Sequence, residues 1–307
     1  MRVIFMGTPA FALPSLDALR ARGEHIVAVV TQPDRPQGRG QRTAAPPVKV
    51  AALAAGIPVQ QPAKVRQPEF LEWCRAQAPD LIVVVAFGQI LPKALLDIPR
   101  LGCINVHASL LPKYRGAAPI AWAIIRGERE TGITTMQMDP GMDTGPMLLQ
   151  RSMPIRPDDT TETLGARLAE LGAQTLNDTL DVLAAGRLSP IVQDSSLATL
   201  APMLKKDHGR INWQQPASAI DALVRGLDPW PGAWTQHAGE PWRIWKTVVE
   251  PGTGEPGSVL RADAAGIAIG TGEGHLVITE LQAPGKRRLT VRDYLAGHAI
   301  KPGERLG

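Results

Sequence analysis

The sequence predicts an α/β protein in which an N-terminal doubly wound, Rossmann-like sheet is followed by a small C-terminal β-barrel of the OB-like kind. Three observations carry this reading. Short β-rich runs alternate with amphipathic helical stretches through the first half, the βαβα order that builds a parallel sheet. A long leucine-studded helix then closes that half at Gly186. Beyond residue 205 come closely spaced strand-like runs divided by turn signals, the pattern of a small barrel. A chain of 307 residues exceeds the usual single domain, and the expected division is 1–186, a linker at 187–205, and 206–307.

Residues 2–6 read as the first strand and 11–22 as a helix with Leu13, Leu16 and Leu19 on one side. Strands follow at 25–31 and, more weakly, 57–60, with a helix around 69–76. Residues 81–87 form a continuous apolar run, as in a strand buried on both faces. Another strand is expected at 103–107, a helix near 120–126, and a final strand pair at 134–138 and 147–154. In 160–185, Leu164, Leu168, Leu171, Leu176, Leu180 and Leu183 recur at helical spacing. Periodicity fades from 187 to 205, punctuated by Pro190 and Pro202. A helix at 217–225 precedes strand-like runs at 242–249, 257–260, 266–269 and 275–281. Trp213, Trp230, Trp234, Trp242 and Trp245 accompany these runs and read as core.

Hydrophobic residues at 44 % and charged residues at 20 % fit a folded protein rather than a disordered one. Cys74 and Cys103 are too few for a disulfide framework and read as reduced core residues. The chain opens on a strand-like run, and no apolar stretch approaches the roughly 18 residues of a membrane span, so a cytoplasmic protein without membrane contact is expected. The net charge of +4 permits a polyanionic partner, and much of the excess lies in one segment. Between Gln32 and Val50, Arg35, Arg39, Arg42 and Lys49 face only Asp34.

The densest chemical signal is the run from Gly102 to Pro112. Alternate residues of a strand share a face, so Asn105 and His107 point together while Ile104 and Val106 point into apolar packing. Such a pair at the carboxyl end of a parallel strand sits where open α/β sheets place their sites. The same two residues also read as an ordinary strand terminus. Asp143, in a Gly-rich acidic loop after 134–138, is placed to orient an imidazole and favour its charged form; it equally reads as a turn-capping aspartate. No Gly-x-Ser-x-Gly elbow occurs, six scattered histidines and two distant cysteines give no zinc spacing, and Gly7-Thr8-Pro9 lacks the dinucleotide fingerprint. What remains is a metal-free group transfer from a donor cosubstrate.

Asn105-x-His107, then Ser109-Leu110-Leu111-Pro112-Lys113-Tyr114-Arg115-Gly116, then Asp143 resembles the signature of the folate-dependent formyltransferases. Similarity to the branch of that family acting on methionyl-tRNA runs nearly end to end, through Gly7-Thr8-Pro9, residues 31–36 and 38–40, 100–107, 115–120 and Pro229-Trp230-Pro231. Ala108 departs from the glycine of many relatives, a small-for-small exchange. The resemblance implies a first domain that is catalytic and a second that binds tRNA. It implies 10-formyltetrahydrofolate as donor, held by Ser109, Leu110, Leu111, Pro112 and by Phe87, Gly88 and Gln89. By the same resemblance the acceptor would be methionyl initiator tRNA, its amine attacking the formyl carbon, in a protein expected to be monomeric. Asn105 and His107 would stabilise the tetrahedral oxyanion, at roughly 3–4 kcal/mol per preorganised donor, and Asp143 would orient and charge His107. Arg35, Arg39 and Arg42 would contact the tRNA acceptor end, with Arg39 at the tip between two glycines; a solvated surface loop is the other reading. Lys205 and Lys206, and after them Lys286-Arg287-Arg288, are further tRNA candidates. A formyltransferase acting on a small amine such as an amino sugar, and a formylfolate hydrolase, are the alternatives.

Overall fold

The computed structural model of the protein describes residues 1–37 and 42–307, and of residues 36, 37, 42 and 43 the backbone alone. Two compact units are present. The first comprises Met1–Pro119, Thr131–Met153 and Gly165–Pro202; the second comprises Ile120–Glu130, Pro154–Leu164 and Met203–Gly307.

A seven-stranded sheet organises the first unit. Its strands are β1 (Arg2–Gly7), β2 (His25–Val30), β5 (Val59–Gln60), β6 (Leu81–Val85), β7 (Cys103–His107), β8 (Glu130–Gln137) and β9 (Met147–Pro154), in the order β5-β2-β1-β6-β7-β8-β9. A two-stranded hairpin of β3 (Arg35–Gln37) and β4 (Arg42–Ala44) stands apart from it. The helices through residue 184 are α1 (Leu13–Ala21), α2 (Pro47–Ala54), α3 (Pro68–Ala76), α4 (Lys93–Leu96), α5 (Pro119–Ile125), which falls in the second unit apart from Pro119, and α6 (Thr161–Ala184). Strands β5, β2, β1, β6 and β7 run parallel. The chain builds outward from β1 to β5 and then returns to β6, so the order reverses between β1 and β6. Loops at the carboxyl ends of these strands flank the crevice that such a reversal opens.

All five residues of β6 are buried, as the apolar run predicts. Ile4, Met6, Ile82 and Val84 pack with Phe70, Cys74 and Leu95 from α3 and α4, while Val3, Phe5 and Val83, on the other face, are equally buried. Each such large side chain stabilises the fold by about 1.5–3 kcal/mol. The sheet ends differently from a purely parallel one. β8 is antiparallel to β7, and β9 returns along β8, with Gln137 N bonded to Pro146 O at 2.9 Å and Ile155 N to Arg129 O at 3.0 Å. The connection between β8 and β9 is too short for a parallel crossover, which takes a dozen residues or more.

Leu164, Leu168, Leu176 and Leu180 of α6 are fully buried, and Gly186 terminates the helical region with φ +65°. The stretch from 187 onward, expected as a linker, carries structure of its own. Ile191 bridges Met147 and Leu200 bridges Arg115, and Ser195–Leu197 form a 3-10 turn capped by Asp194. Single bridges leave no periodicity in a sequence.

The second unit holds α7 (Ala217–Gly226), β10 (Ala233–His237), β11 (Glu240–Glu250), β12 (Val259–Asp263), β13 (Gly266–Gly270), β14 (His275–Gln282), β15 (Leu289–Thr290) and α8 (Val291–Leu295). Its strands pair antiparallel in the order β10-β11-β14-β13-β12, with β15 on β14. The C-terminal tail spans the two edges, Leu306 bridging His237 and Arg305 bridging Ser258, which covers strands otherwise open to pairing. Trp213, Ile220, Trp242, Ile244, Ile269, Leu276 and Ile278 fill the interior. The core reading of the tryptophans holds for Trp213 and Trp242 but not for Trp230, which is 55 % exposed. Two prolines flank it in a turn, where no strand face turns it inward.

Candidate active site

β7 delivers Asn105 and His107, and the loop between β8 and β9 delivers Asp143. Asn105 Nδ2 donates to Asp143 Oδ1 at 3.4 Å, and Gly116 N donates to Oδ2 at 2.8 Å. His107 Nδ1 stands 3.7 Å from Oδ2, an ion-pair separation longer than a direct hydrogen bond. The ring's direct bond is made by Nε2, 2.9 Å from the Tyr114 carbonyl, a partner that sequence reading did not include. A carbonyl only accepts, so Nε2 carries a proton. Nδ1 faces the carboxylate at a separation that leaves it without a direct bond to Asp143.

Backbone strain and local bonds hold these groups. Asp143 has φ +54°, a left-handed conformation that aspartate tolerates better than most residues. Asp139 braces the same loop by accepting from Gly141 N at 3.0 Å and from Thr144 Oγ1 at 2.7 Å. Gly145 allows the loop to close, because an added Cβ would lie 1.9 Å from Gln137 O.

The loop after β7 is tied by a buried hydroxyl. Thr134 Oγ1 donates to Ser109 O at 2.7 Å and accepts from Leu111 N at 3.1 Å and Gln150 Nε2 at 2.9 Å. Gln150 also donates to Leu111 O at 2.7 Å. Among the residues expected to face a donor, Ser109 and Leu111 are turned inward, Ser109 Oγ bonding Lys113 O at 2.6 Å. Leu110 and Pro112 keep accessible surface.

After β6, Phe87 is buried in the sheet's core, and its carbonyl accepts from Thr8 Oγ1 at 2.9 Å and Gln32 Nε2 at 3.3 Å. Ala86 and Gly88 lie at positive φ and are exposed, so this turn presents main chain rather than long side chains. Gln89 is committed to Pro62 O at 3.3 Å and Val65 N at 3.0 Å. Ile90 beside it is 83 % exposed.

The basic segment divides in two. Lys49 pairs with Asp34 at 2.8 Å, and Gln61 Nε2 donates to the same carboxylate at 2.7 Å. The Gln61 and Lys49 hydrogen bonds hold the Asp34 carboxyl below its ordinary range. Arg35 is exposed and reaches Gln32 Oε1 at 3.2 Å. Arg39 lies outside the described residues, and Arg42 is described by its backbone in β4 alone. In the second unit Lys205 and Lys206 are exposed, while Arg288 is engaged by Glu280 at 2.6 Å and Asp228 at 3.3 Å.

Sequence reading missed Thr134, Gln150 and Gln193, and it gave Arg115 no role although that residue stands within the family signature. The two threonine-and-glutamine braces sit in strands whose alternation gives no sign of function, and Gln193 lies in an aperiodic stretch with no signal at all. Burial pushes the Cys74 thiol up to about 11 and the Cys103 thiol up to about 12. Among the described residues, no helix is long and apolar enough to cross a membrane, and no three His, Cys, Asp or Glu side chains group in a way that could hold a metal ion.

Residues 1–180 match the family model described as formyl transferase, and residues 203–299 match that of the formyl transferase C-terminal domain. A methionyl-tRNA formyltransferase from Geotalea uraniireducens is 57 % identical over 307 residues, spanning 100 % of this chain and 98 % of its own. Among solved structures, an N-formyltransferase from Helicobacter canadensis, in complex with folinic acid and dTDP-3-aminofucose, superposes with a TM-score of 0.68 at 16 % identity over 91 % of this chain and 99 % of that one. HypX from Aquifex aeolicus, in complex with tetrahydrofolic acid, gives 0.66 at 20 % identity over 96 % of this chain. The chain spans about half the length of HypX, covering 47 % of it.

Proposed function

The chain belongs to the formyl transferase family, in its methionyl-tRNA branch, and from that premise we propose how its residues carry formyl transfer to methionyl-tRNA. The donor is 10-formyltetrahydrofolate and the acceptor is the α-amino group of methionyl initiator tRNA, used in the cytoplasm by a monomeric enzyme. The observation that carries the reading is the convergence of Asn105 and His107 on Asp143.

As the amine attacks the formyl carbon, negative charge grows on the formyl oxygen. Asn105 Nδ2 has a second hydrogen beyond the one directed at Asp143. His107 Nδ1–H, not bound directly by Asp143, is the other donor aimed at that oxygen. Asp143 supplies the negative charge that keeps the ring doubly protonated, and the Tyr114 carbonyl fixes the ring's plane. Donors held in place before reaction need no reorganisation as the charge develops.

The turn at Ala86–Gln89, with main chain presented at Ala86 and Gly88 and an apolar neighbour in Ile90, fits a flat heteroaromatic ring with donors and acceptors on its edge. Leu110 and Pro112 supply apolar surface for the same donor. Arg35, Arg39 and Arg42 bind the acceptor end of the tRNA, and Lys205 and Lys206 add phosphate contacts from the second domain. The catalytic work belongs to the N-terminal domain, and the grip on the tRNA is shared between its basic segment and the C-terminal domain.

The test compares acceptors with 10-formyltetrahydrofolate as donor: methionyl initiator tRNA, small amines and water. Formylmethionyl-tRNA as the sole product is the expected result. Formylation of the small amine alone, or release of formate alone, overturns the acceptor assignment.

A further inference from the structure

The segment after α6 brings to the Asp143 loop a side chain with no part in the scheme above. Gln193 is 6 % exposed. Its Nε2 donates to the main-chain oxygens of Asp143 at 2.8 Å and Gly145 at 2.7 Å. Its Oε1 accepts from Nε and Nη2 of Arg115 at 3.0 and 2.7 Å. The amide has only one orientation that satisfies these neighbours, because carbonyls only accept and a guanidinium only donates. Both hydrogens and both lone pairs of the amide are then used.

Arg115 is itself buried, at 7 % exposure. Its main chain is fixed by Arg115 N to Thr199 O at 2.9 Å and Ala201 N to Arg115 O at 2.7 Å. The next residue, Gly116, donates its N–H to the Asp143 carboxylate. Asp143 is therefore held at both ends, its carboxylate by Gly116 and its carbonyl by Gln193, and both contacts trace back to Arg115. The loop so held contains the left-handed Asp143, whose conformation persists only where surroundings over-determine it.

We propose that Gln193 is a positioning residue for Asp143, with Arg115 setting the direction of its amide. The proposal rests on the reading of Asp143 as the group that charges His107. It assigns a role in the reaction to the stretch between the two family domains.

Gln193→Glu separates positioning from mere stability. The carboxylate keeps an acceptor on Arg115 and gives that buried cation a counter-charge, yet it removes both N–H donors and sets an oxygen against two carbonyl oxygens. Gln193→Met removes all four hydrogen bonds at similar volume and serves as the second variant. For each folded variant, and for Asp143→Asn, steady-state kinetics with both substrates are measured alongside NMR titration of the His107 ring. The expected result is a kcat lowered on the order of 10²-fold, the scale of a misplaced catalytic group, with both KM values within about two-fold. The His107 titration moves in the direction it takes in Asp143→Asn. Near-normal kcat in either folded Gln193 variant, with Asp143→Asn inactive, overturns the positioning role. Near-normal kcat in Asp143→Asn as well removes the reading on which it rests.

Discussion

The Asp143 loop and the base of the β3–β4 hairpin belong to the same compact unit, yet they compensate their charges in opposite ways. Around Asp143 the polar atoms are buried or partly buried and paired in fixed directions: Asn105, Gly116 and Gln193 donate to one residue, and Tyr114 accepts from the ring beside it. At the hairpin base Lys49 is closed onto Asp34, while Arg35 stays exposed with the neutral Gln32 amide at its tip. Buried donors act on a charge whose position is known to a fraction of an ångström, and low polarity strengthens them. Exposed cations serve a flexible polyanion, for which reach and charge matter more than a fixed angle.

Substitutions at the two places should therefore fail in different ways. Asp143→Asn or His107→Ala lowers kcat by about 10³-fold, the upper range for loss of a preorganised charge-stabilising group, with tRNA affinity measured by filter binding nearly unchanged. Weakened tRNA binding in these variants would erase the distinction between the two regions. Asn105→Ala removes one donor and lowers kcat by about 10²-fold, again without a matching rise in either KM; steady-state kinetics check this.

Arg39→Ala acts on the other side of the contrast. It lowers kcat/KM for methionyl-tRNA by about tenfold and flattens the dependence on log salt by about one unit, while saturation by the folate donor is unaffected. An unchanged salt slope would take Arg39 off the phosphate backbone. Arg35→Ala produces a smaller change of the same kind.

The mildest test uses the cysteines as reporters. Cys103 lies on the strand that carries Asn105 and His107, and both thiols are pushed above the ordinary thiol value near 9, to about 11 and 12, by burial. Neither should react with a disulfide reagent at pH 8 in the native protein, nor in Asp143→Asn or Asn105→Ala; reaction in a variant would mean that its lost activity reflects an opened core. The folded state favours the neutral thiols. Their contribution to stability is therefore complete below the unfolded thiol range, and it is lost as pH rises from about 9 through the folded values, which chemical denaturation at alkaline pH will detect.

The alternation of Cys103-Ile104-Asn105-Val106-His107 was legible without a structure, because strand geometry alone puts Asn105 and His107 on one face. So was the buried strand β6, from its unbroken apolar run, and so was the leucine stripe of α6, from its 3.6-residue periodicity. The pairing of Asp143 with that strand rested on resemblance, since thirty-odd residues separate them and spacing carries no distance. The hydrogen bond from His107 to Tyr114 was invisible for a related reason: it is made to a main-chain carbonyl, and any residue has one.

What the sequence determined by itself was therefore what repeats along it, namely strands, helices, the change of texture between domains and the concentration of basic residues before Val50. Tertiary structure decided which polar atoms meet. It reversed β8 alone against the parallel strands, turned Ser109 and Leu111 inward, left Trp230 outside, and drew Gln193 and Arg115 behind Asp143. Periodicity is a local property of the backbone, whereas a hydrogen bond between residues 50 positions apart exists only once the chain between them has packed.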